Sequence, residues 1–369
     1  MKLFLIAGEP SGDRLGAALM SGLKSLVPDV EFAGVGGPLM QAMGMTSLFP
    51  MDELSVMGIA EVLPKYLHLK RRIAEAAAAA LALDPAALIT IDSPDFCLRV
   101  AAIAKQAKPT LRTIHYVAPS VWAWRPGRAA KMARVIDHVL ALLPFEPPYM
   151  TAAGMTCDFV GHPVVAEIPV PSLRPTFGDS PLILALPGSR RSEVARLAPV
   201  FGQTMSAVAL RYPKLRVALP TLDHIAPMVA DLTKDWPIAP HIITDTREKR
   251  SALATANAAL AASGTVSLEL AAHGCPMVIA YDMHPATLWL MRRMAKIDTV
   301  TLVNLVSETR VVPEYIGENC RAALIAPSLL SLLDDPSSQT DAMTLTMQRL
   351  GRGGEDPGLR AARSVLAHL

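Results

Sequence analysis

The chain has 369 residues, with 35 Lys and Arg against 33 Asp and Glu, and a mean hydropathy of +0.32. That length accommodates two domains of ordinary size, and the near balance of charge excludes a global field that would draw in nucleic acid. Hydrophobic residues make up 51%, yet polar and charged residues interrupt every apolar run before the roughly 18–20 residues that cross a bilayer. The start, MKLFLIAGEPSGD, reads as a first buried strand rather than a signal peptide. Cys97, Cys157, Cys275 and Cys320 lie far apart with no CxxC spacing. They read as reduced, mostly buried thiols rather than disulfides or a zinc site.

Lys2–Ala7 is a strand, and GEPSGDRLGAALMSGL is a polar loop entering an amphipathic helix. This is not GxGxxG, so the dinucleotide fingerprint is absent. Gly8 and Gly12 let a ligand approach the strand's carboxyl end. Glu9, Ser11 and Asp13 stand there as ligand contacts or, for Ser11 and Asp13, as helix caps. Glu31–Val35 is a second strand, followed by a glycine turn. Residues 54–72, LSVMGIAEVLPKYLHLKRR, place Val56, Met57, Val62, Leu63, Tyr66 and Leu69 beside Lys65, Lys70, Arg71 and Arg72. Such a stretch either dips into an anionic bilayer or forms a core helix with a solvated basic end.

The strand Ala87–Ile91 delivers Asp92 in DSPDF. A carboxylate at a strand tip acts as general base toward a sugar hydroxyl, or serves only as a turn residue. DSPD is not the DxD of metal-dependent sugar transferases, so no metal is expected. After a strand at 113–117, APSVWAWRPGRAAKMAR sets Trp122 and Trp124 near Arg125, Arg128, Lys131 and Arg134. The cluster reads as a phosphate site flanked by indoles, or as a solvated basic helix face. A strand at 139–143 closes a half built on βα alternation, which argues a parallel sheet with helices on both faces.

Five prolines around 163–179 mark a domain boundary. A strand at 182–186 then opens a second half. Gly188 and Ser189 form its turn, Arg190 stands beside it, and Glu193 begins a helix. That arrangement offers a phosphate backbone N–H groups and a guanidinium. It is not the Walker loop, so ATP hydrolysis is not indicated. Strands at 216–219 and 242–243 follow. The strand at 258–262 leads into SGTVSLE, where Gly264 makes the turn and Thr265 caps a helix to about His273. Glu269, one turn in, accepts from ribose hydroxyls or is an ordinary surface Glu. Asn304 falls in a loop, either facing a ligand or closing an Asx-turn. From Pro327 onward the pattern predicts two helices separated by GRGGEDPG.

GEPSGD, GVGGPLM, EVLP, DSPDF, HYVAPSVWAWR, LPFE, FVGHP, LPGSRRSE, SGTVSLE, and VNL with VPE run in this order over about residues 3–320. The series resembles the lipid-A-disaccharide synthase family. SGTVSLE alone fits many UDP-sugar transferases; HYVAPSVWAWR with LPGSRRSE and SGTVSLE is specific to that family. The resemblance implies an α/β chain with two Rossmann-like domains facing a cleft, the GT-B architecture. Residues 1–165 would form an acceptor- and membrane-facing domain, 180–340 a UDP-sugar-binding domain, and 341–369 a helical tail.

The resemblance further implies an inverting, metal-independent hexosyltransferase without a cofactor. Its substrates would be UDP-2,3-diacylglucosamine and 2,3-diacylglucosamine 1-phosphate (lipid X), and its products the β-1,6 lipid A disaccharide 1-phosphate and UDP. Asp92 would be the catalytic base, Arg190 and Asn304 would matter for activity, and Glu269 would contact the ribose. The enzyme would be cytoplasmic, peripheral on the inner-membrane surface, with no nucleic-acid partner, and some members are dimers that exchange C-terminal segments. Pro10, where relatives often carry another small residue, stiffens the first loop beside Glu9. Three rivals stay open on sequence grounds: a related UDP-sugar enzyme such as an epimerase, an NAD-dependent oxidoreductase, and a non-catalytic lipid-binding scaffold.

Overall fold

The computed structural model describes residues 1–54, 59–125, 127–166 and 180–369, with the side chains of 59–66, 286 and 292 outside the description. The chain divides into two compact units. One is Met1–Ala166 completed by Gly353–Leu369; the other ends at Arg352.

The first unit contains strands β1 (Lys2–Ala7), β2 (Glu31–Val35), β3 (Ala87–Ile91), β4 (Arg112–Tyr116), β5 (His138–Ala141) and β6 (Thr156–Phe159). Its helices are α1 (Pro10–Leu26), α2 (Pro38–Ala42), α3 (Ile59–Leu83), α4 (Pro94–Ala107), α5 (Gly127–Met132) and α6 (Pro147–Thr151). The second unit contains β7 (Leu182–Leu186), β8 (Arg216–Pro220), β9 (His241–Ile243), β10 (Ala258–Ala261), β11 (Met277–Tyr281) and β12 (Glu314–Ile316). With them run α7 (Arg191–Ala209), α8 (Ala226–Thr233), α9 (Thr246–Thr255), α10 (Val266–Ala272), α11 (Pro285–Met294), α12 (Leu302–Ser307), α13 (Ala322–Asp334) and α14 (Ser337–Arg349). The last helix, α15 (Pro357–Ala367), belongs to the first unit.

Among the described residues the strands form two six-stranded sheets, ordered β2-β1-β3-β4-β5-β6 and β12-β11-β10-β7-β8-β9, with every pairing parallel. Parallel sheets bury both faces, so their strands read as continuous apolar runs. In β1, Leu3, Leu5 and Ala7 join a cluster with Leu15, Leu19 and Leu23 of α1 and Ala361, Ala362 and Val365 of α15. Phe4 and Ile6 point the other way, toward Ala76, Ala77 and Ala80 of α3 and Val100, Ala101 and Ala104 of α4. The alanine run of α3 thus forms a flat, close-packing face against the sheet.

One edge strand of each sheet, β6 and β12, is not evident as an apolar run, because its residues are half-buried or exposed. Pro327 does not begin a helix as expected. It lies inside α13; the expected break around GRGGEDPG separates α14 from α15, and an additional break at Asp335–Pro336 gives three helices after residue 321. Packing of Ile325, Leu329, Leu332 and Leu333 into the second core holds α13 through the proline.

Candidate active site

In each sheet the strand order reverses once. Beyond β1 the chain crosses to β2 on one side, and beyond β3 it crosses to β4 on the other, so the β1/β3 boundary is a topological switch point. The second sheet reverses in the same way between β7 and β10. Open α/β sheets bind ligands outside the strand carboxyl ends at these points, where diverging connections leave a crevice. The register aligns the ends. Ala7 pairs with Ile91, and Leu186 with Ala261. The loops after β1 and β3, and after β7 and β10, are therefore neighbours within their own units.

At the first switch point, Asp92 and Ser93 hold successive left-handed backbone conformations, φ 53° and 43°. Non-glycine residues there cost on the order of 1–3 kcal/mol each, and such strain gathers at functional sites. The Asp92 N–H donates to Tyr116 O at 3.0 Å. Gly8 faces them closely: a Cβ there would come within 2.6 Å of Ser93 Oγ. Ser93 Oγ is itself buried with no hydrogen-bond partner among the described residues. Glu9 is the extended N-cap of α1, with Pro10 at the first helical turn and Ser11 exposed.

Asp13, placed by its sequence position among possible ligand contacts, is committed elsewhere. Its buried carboxylate accepts the N–H groups of Gly37, Leu39 and Met40, each at 2.9 Å, and so caps α2. Along the same edge Val117, at the end of β4, has φ 86°, an outlier for a β-branched residue that the sequence did not flag. Arg125 (φ 52°) is exposed, with its guanidinium 4.1 Å over the Trp124 ring, and Arg128 is half-buried in α5. Among the described residues neither arginine makes an ion pair.

At the second switch point Gly188 is required twice over. Its φ is 111°, and a Cβ would meet Glu193 Oε2 at 2.6 Å. Ser189 is exposed, and Arg190 is the extended N-cap of α7. The Arg190 side chain is 61% exposed, with Nη1 2.7 Å from Glu193 Oε1. Tyr281 donates to the same carboxylate oxygen at 3.1 Å. After β10, Gly264 has φ 148° with open space where a Cβ would be, and the Ser267 hydroxyl closes the turn on Gly264 O at 2.9 Å. Thr265 occupies the N-cap position of α10, yet its hydroxyl makes no capping bond and remains exposed. Glu269 is half-buried and held by Lys249 at 2.6 Å.

Asn304 departs from expectation. It lies in α12 rather than a loop and is 1% exposed. Its Nδ2 donates to Val312 O at 2.9 Å and its Oδ1 accepts Val312 N–H at 3.0 Å. Both amide atoms are engaged in fastening the segment before β12. Of the proposed membrane contacts, Val56 and Met57 lie outside the described residues, as do the side chains of Val62, Leu63 and Tyr66. Leu69 is half-buried, and its neighbour Leu67 is 78% exposed. Among the described residues no helix is long and apolar enough to cross a membrane.

One His/Asp group among the described residues has metal-ligand spacing. His138, Asp158 and His368 bring their ligand atoms within 4.8 Å of one another. Ser364 Oγ already sits between two of them, 2.8 Å from His138 Nε2 and 2.7 Å from Asp158 Oδ2. By strand register His138 is level with Ile114 in mid-sheet and Asp158 with Leu140, and the group packs under the last helix. It fits a hydrogen-bonded clasp on α15.

Comparison with known proteins follows the same division into fold and chemistry. Residues 3–361 match the family model described as lipid-A-disaccharide synthetase. A curated lipid-A-disaccharide synthase of Ruegeria pomeroyi is 60% identical, covering 100% of this chain and 96% of the relative. Among solved structures, a putative UDP-N-acetylglucosamine 2-epimerase from Listeria monocytogenes superposes with TM-score 0.65 at 15% identity, covering 99% of this chain and 95% of that one. The glycotransferase of kitacinnamycin gives TM-score 0.62 at 13% identity, covering 100% and 98%. The structural neighbours share the fold of two Rossmann-like units and include both epimerases and transferases, so the fold alone does not separate the two chemistries.

Proposed function

The chain belongs to the lipid-A-disaccharide synthase family and is a glycosyltransferase of lipid A biosynthesis, and from that premise we propose how its residues divide the reaction. A 2,3-diacylglucosaminyl group passes from UDP to the 6-hydroxyl of 2,3-diacylglucosamine 1-phosphate, giving the β-1,6 disaccharide 1-phosphate and UDP. The observation that carries the reading is the full-length identity to the Ruegeria relative. The switch-point geometry supports the following division of roles.

The second unit takes the UDP-sugar. The Gly188–Ser189 turn and the Gly264–Thr265 turn offer backbone N–H groups to the diphosphate, Arg190 supplies a guanidinium, and Glu269 accepts from the ribose hydroxyls. As the glycosidic C–O bond breaks, the leaving diphosphate gains negative charge, and these groups stabilise it. The exposed Arg190 exchanges part of its contact with Glu193 for the phosphate. Asn304 holds the adjoining segment in place. The first unit takes the acceptor. Asp92 removes the hydroxyl proton as the oxygen attacks the anomeric carbon opposite UDP. Glu9 and Ser11 border the sugar, and Arg125 and Arg128 meet the 1-phosphate.

Because both substrates are diacylated, the enzyme works at a membrane surface, peripherally on the cytoplasmic face. The exposed Leu67 with Lys70 and Arg71 on α3 supports an amphipathic, basic contact there. A homodimer through the C-terminal segment is the assembly proposed. It requires α15 to leave its own α1, which sizing of the purified protein tests.

The decisive test is UDP release from UDP-diacylglucosamine, with and without the acceptor, in EDTA. Acceptor-dependent release supports the transfer and dispenses with a metal. Release without acceptor favours a hydrolase or epimerase-like reaction.

A further inference from the structure

The LPFE turn after β5 takes no part in the chemistry above, yet it holds a costly feature. Glu146 is 4% exposed, and among the described residues no cation pairs with it. Burial pushes its carboxyl up to about 7, while N–H donors pull it back. Those donors are specific. Oε2 accepts the N–H groups of Leu142 at 3.1 Å and Leu143 at 3.0 Å, and Oε1 accepts the indole N–H of Trp122 at 3.2 Å. The Trp122 indole is buried and meets Phe145 edge-on at 5.1 Å.

Trp122 is the loop's polar anchor, while Ala118 and Val121 fasten its earlier half in the core. The loop leaves β4 through the strained Val117 and ends at the strained Arg125. Its internal backbone bonds are short in the first half, Val121 N–H to Pro119 O at 2.6 Å, and longer in the half that carries the indoles, Ala123 N–H to Ser120 O at 3.2 Å and Trp124 N–H to Ser120 O at 3.3 Å. Two residues beyond the anchor, the Trp124 ring carries the Arg125 guanidinium. A buried carboxylate that lost its indole partner would leave both the later half of the loop and Arg125 without a set direction.

We infer that Glu146 is a positioning residue: through Trp122 it fixes the Trp124–Arg125 turn and so presents the Arg125 guanidinium to the phosphate of the anionic acceptor. The inference rests on the reading of Arg125 as an acceptor contact. Glu146 touches no substrate, so its effect appears in acceptor binding and not in the donor site of the other unit.

The test uses Trp122→Phe, which keeps an aromatic ring against Phe145 and removes only the N–H donor and part of the ring system. Glu146→Gln is the companion variant, and Arg125→Ala reports on the premise. With UDP-diacylglucosamine saturating, the acceptor KM of Trp122→Phe should rise ~10-fold, the worth of one buried hydrogen bond to a charged group. Its kcat should stay within ~3-fold and its Kd for UDP should not move. In the Arg125→Ala background the same substitution should add almost nothing, since both changes remove one interaction. A raised acceptor KM in Arg125→Ala with none in Trp122→Phe, or fully additive effects, overturns the inference and leaves the premise standing. A normal acceptor KM in Arg125→Ala removes the premise and the inference together. A lowered melting temperature with kcat and both KM values changed alike would mark Glu146 as structural only, also overturning it.

Discussion

Asp92 and Ser93 carry backbone strain at the tip of β3. Two left-handed residues in succession persist only where the surrounding structure over-determines them. Replacing Asp92 by Asn preserves the shape and removes the base. The variant should fold and bind UDP, with turnover lowered ~10²–10⁴-fold; near-normal turnover in the UDP-release assay would remove Asp92 from the mechanism. A second residue-scale prediction concerns pH. His115 is buried with Nδ1 2.7 Å from Thr90 Oγ1, and burial pushes it from 6.5 down to about 4. The unfolded chain therefore takes up this proton at a higher pH than the folded one. Stability that is fully present above pH 6.5 is lost as pH falls toward 4, by about 3 kcal/mol from this group. Urea denaturation at pH 7 and 4.5 should show the loss, and His115→Gln should flatten the difference.

The same scale shows what sequence reading reaches. The positions of Asp92 at a strand tip and Gly188 in a turn are legible because strand ends and glycine turns have fixed places in a βα pattern. Asn304 and Asp13 were not separable from ligand contacts. Whether a polar side chain faces a ligand or fastens a distant backbone depends on contacts such as Asp13 with Leu39 or Asn304 with Val312, which no local pattern encodes. Glu146 passed as part of a motif, because its indole partner lies 24 positions away.

At the scale of elements, two helices test how packing overrides local preference. Pro327 inside α13 removes one helical hydrogen bond, yet the buried stripe from Ile325 to Leu333 holds the helix through it. Pro327→Ala should restore the bond to Ala323 and raise stability by ~1 kcal/mol or more; a lower melting temperature would mean the ring itself fills a needed space. The α1–α15 contact shows the opposite sensitivity. A Cβ at Gly358 would stand 2.6 Å from Ala18 O, and one at Gly22 2.6 Å from Gly358 O. Both obstacles are backbone, which cannot swing aside. Gly358→Leu should cost ~1–3 kcal/mol by overpacking, read as a fall in melting temperature. An unchanged melt would show that α15 does not rest on α1 in solution. Neither glycine announces this role, since Gly22 sits in helical sequence, Gly358 reads as part of the GRGGEDPG break, and the two lie far apart along the chain.

For the whole molecule, the two compact units make separate thermodynamic predictions. Each has its own sheet and core, and the first is completed by the chain's last helix. The amphipathic pattern of α15 marks an apolar face but does not say which core receives it, so its return to the first unit could not be read from sequence. If the second unit alone takes UDP, as proposed, the nucleotide should stabilise that unit by about 2.7 kcal/mol at a hundredfold excess over Kd and leave the first unit's transition in place. Ending the chain at Arg352 removes Ala361, Ala362 and Val365 from the first core, along with the Ser364 contacts to His138 and Asp158. The first transition should then fall sharply or vanish while UDP still raises the second. Calorimetry of the full chain and the shortened one, each with and without UDP, separates the cases. If shortening abolished the UDP shift, the last helix would be supporting nucleotide binding rather than only the core it fills, and the two units could not be treated as independent folding units.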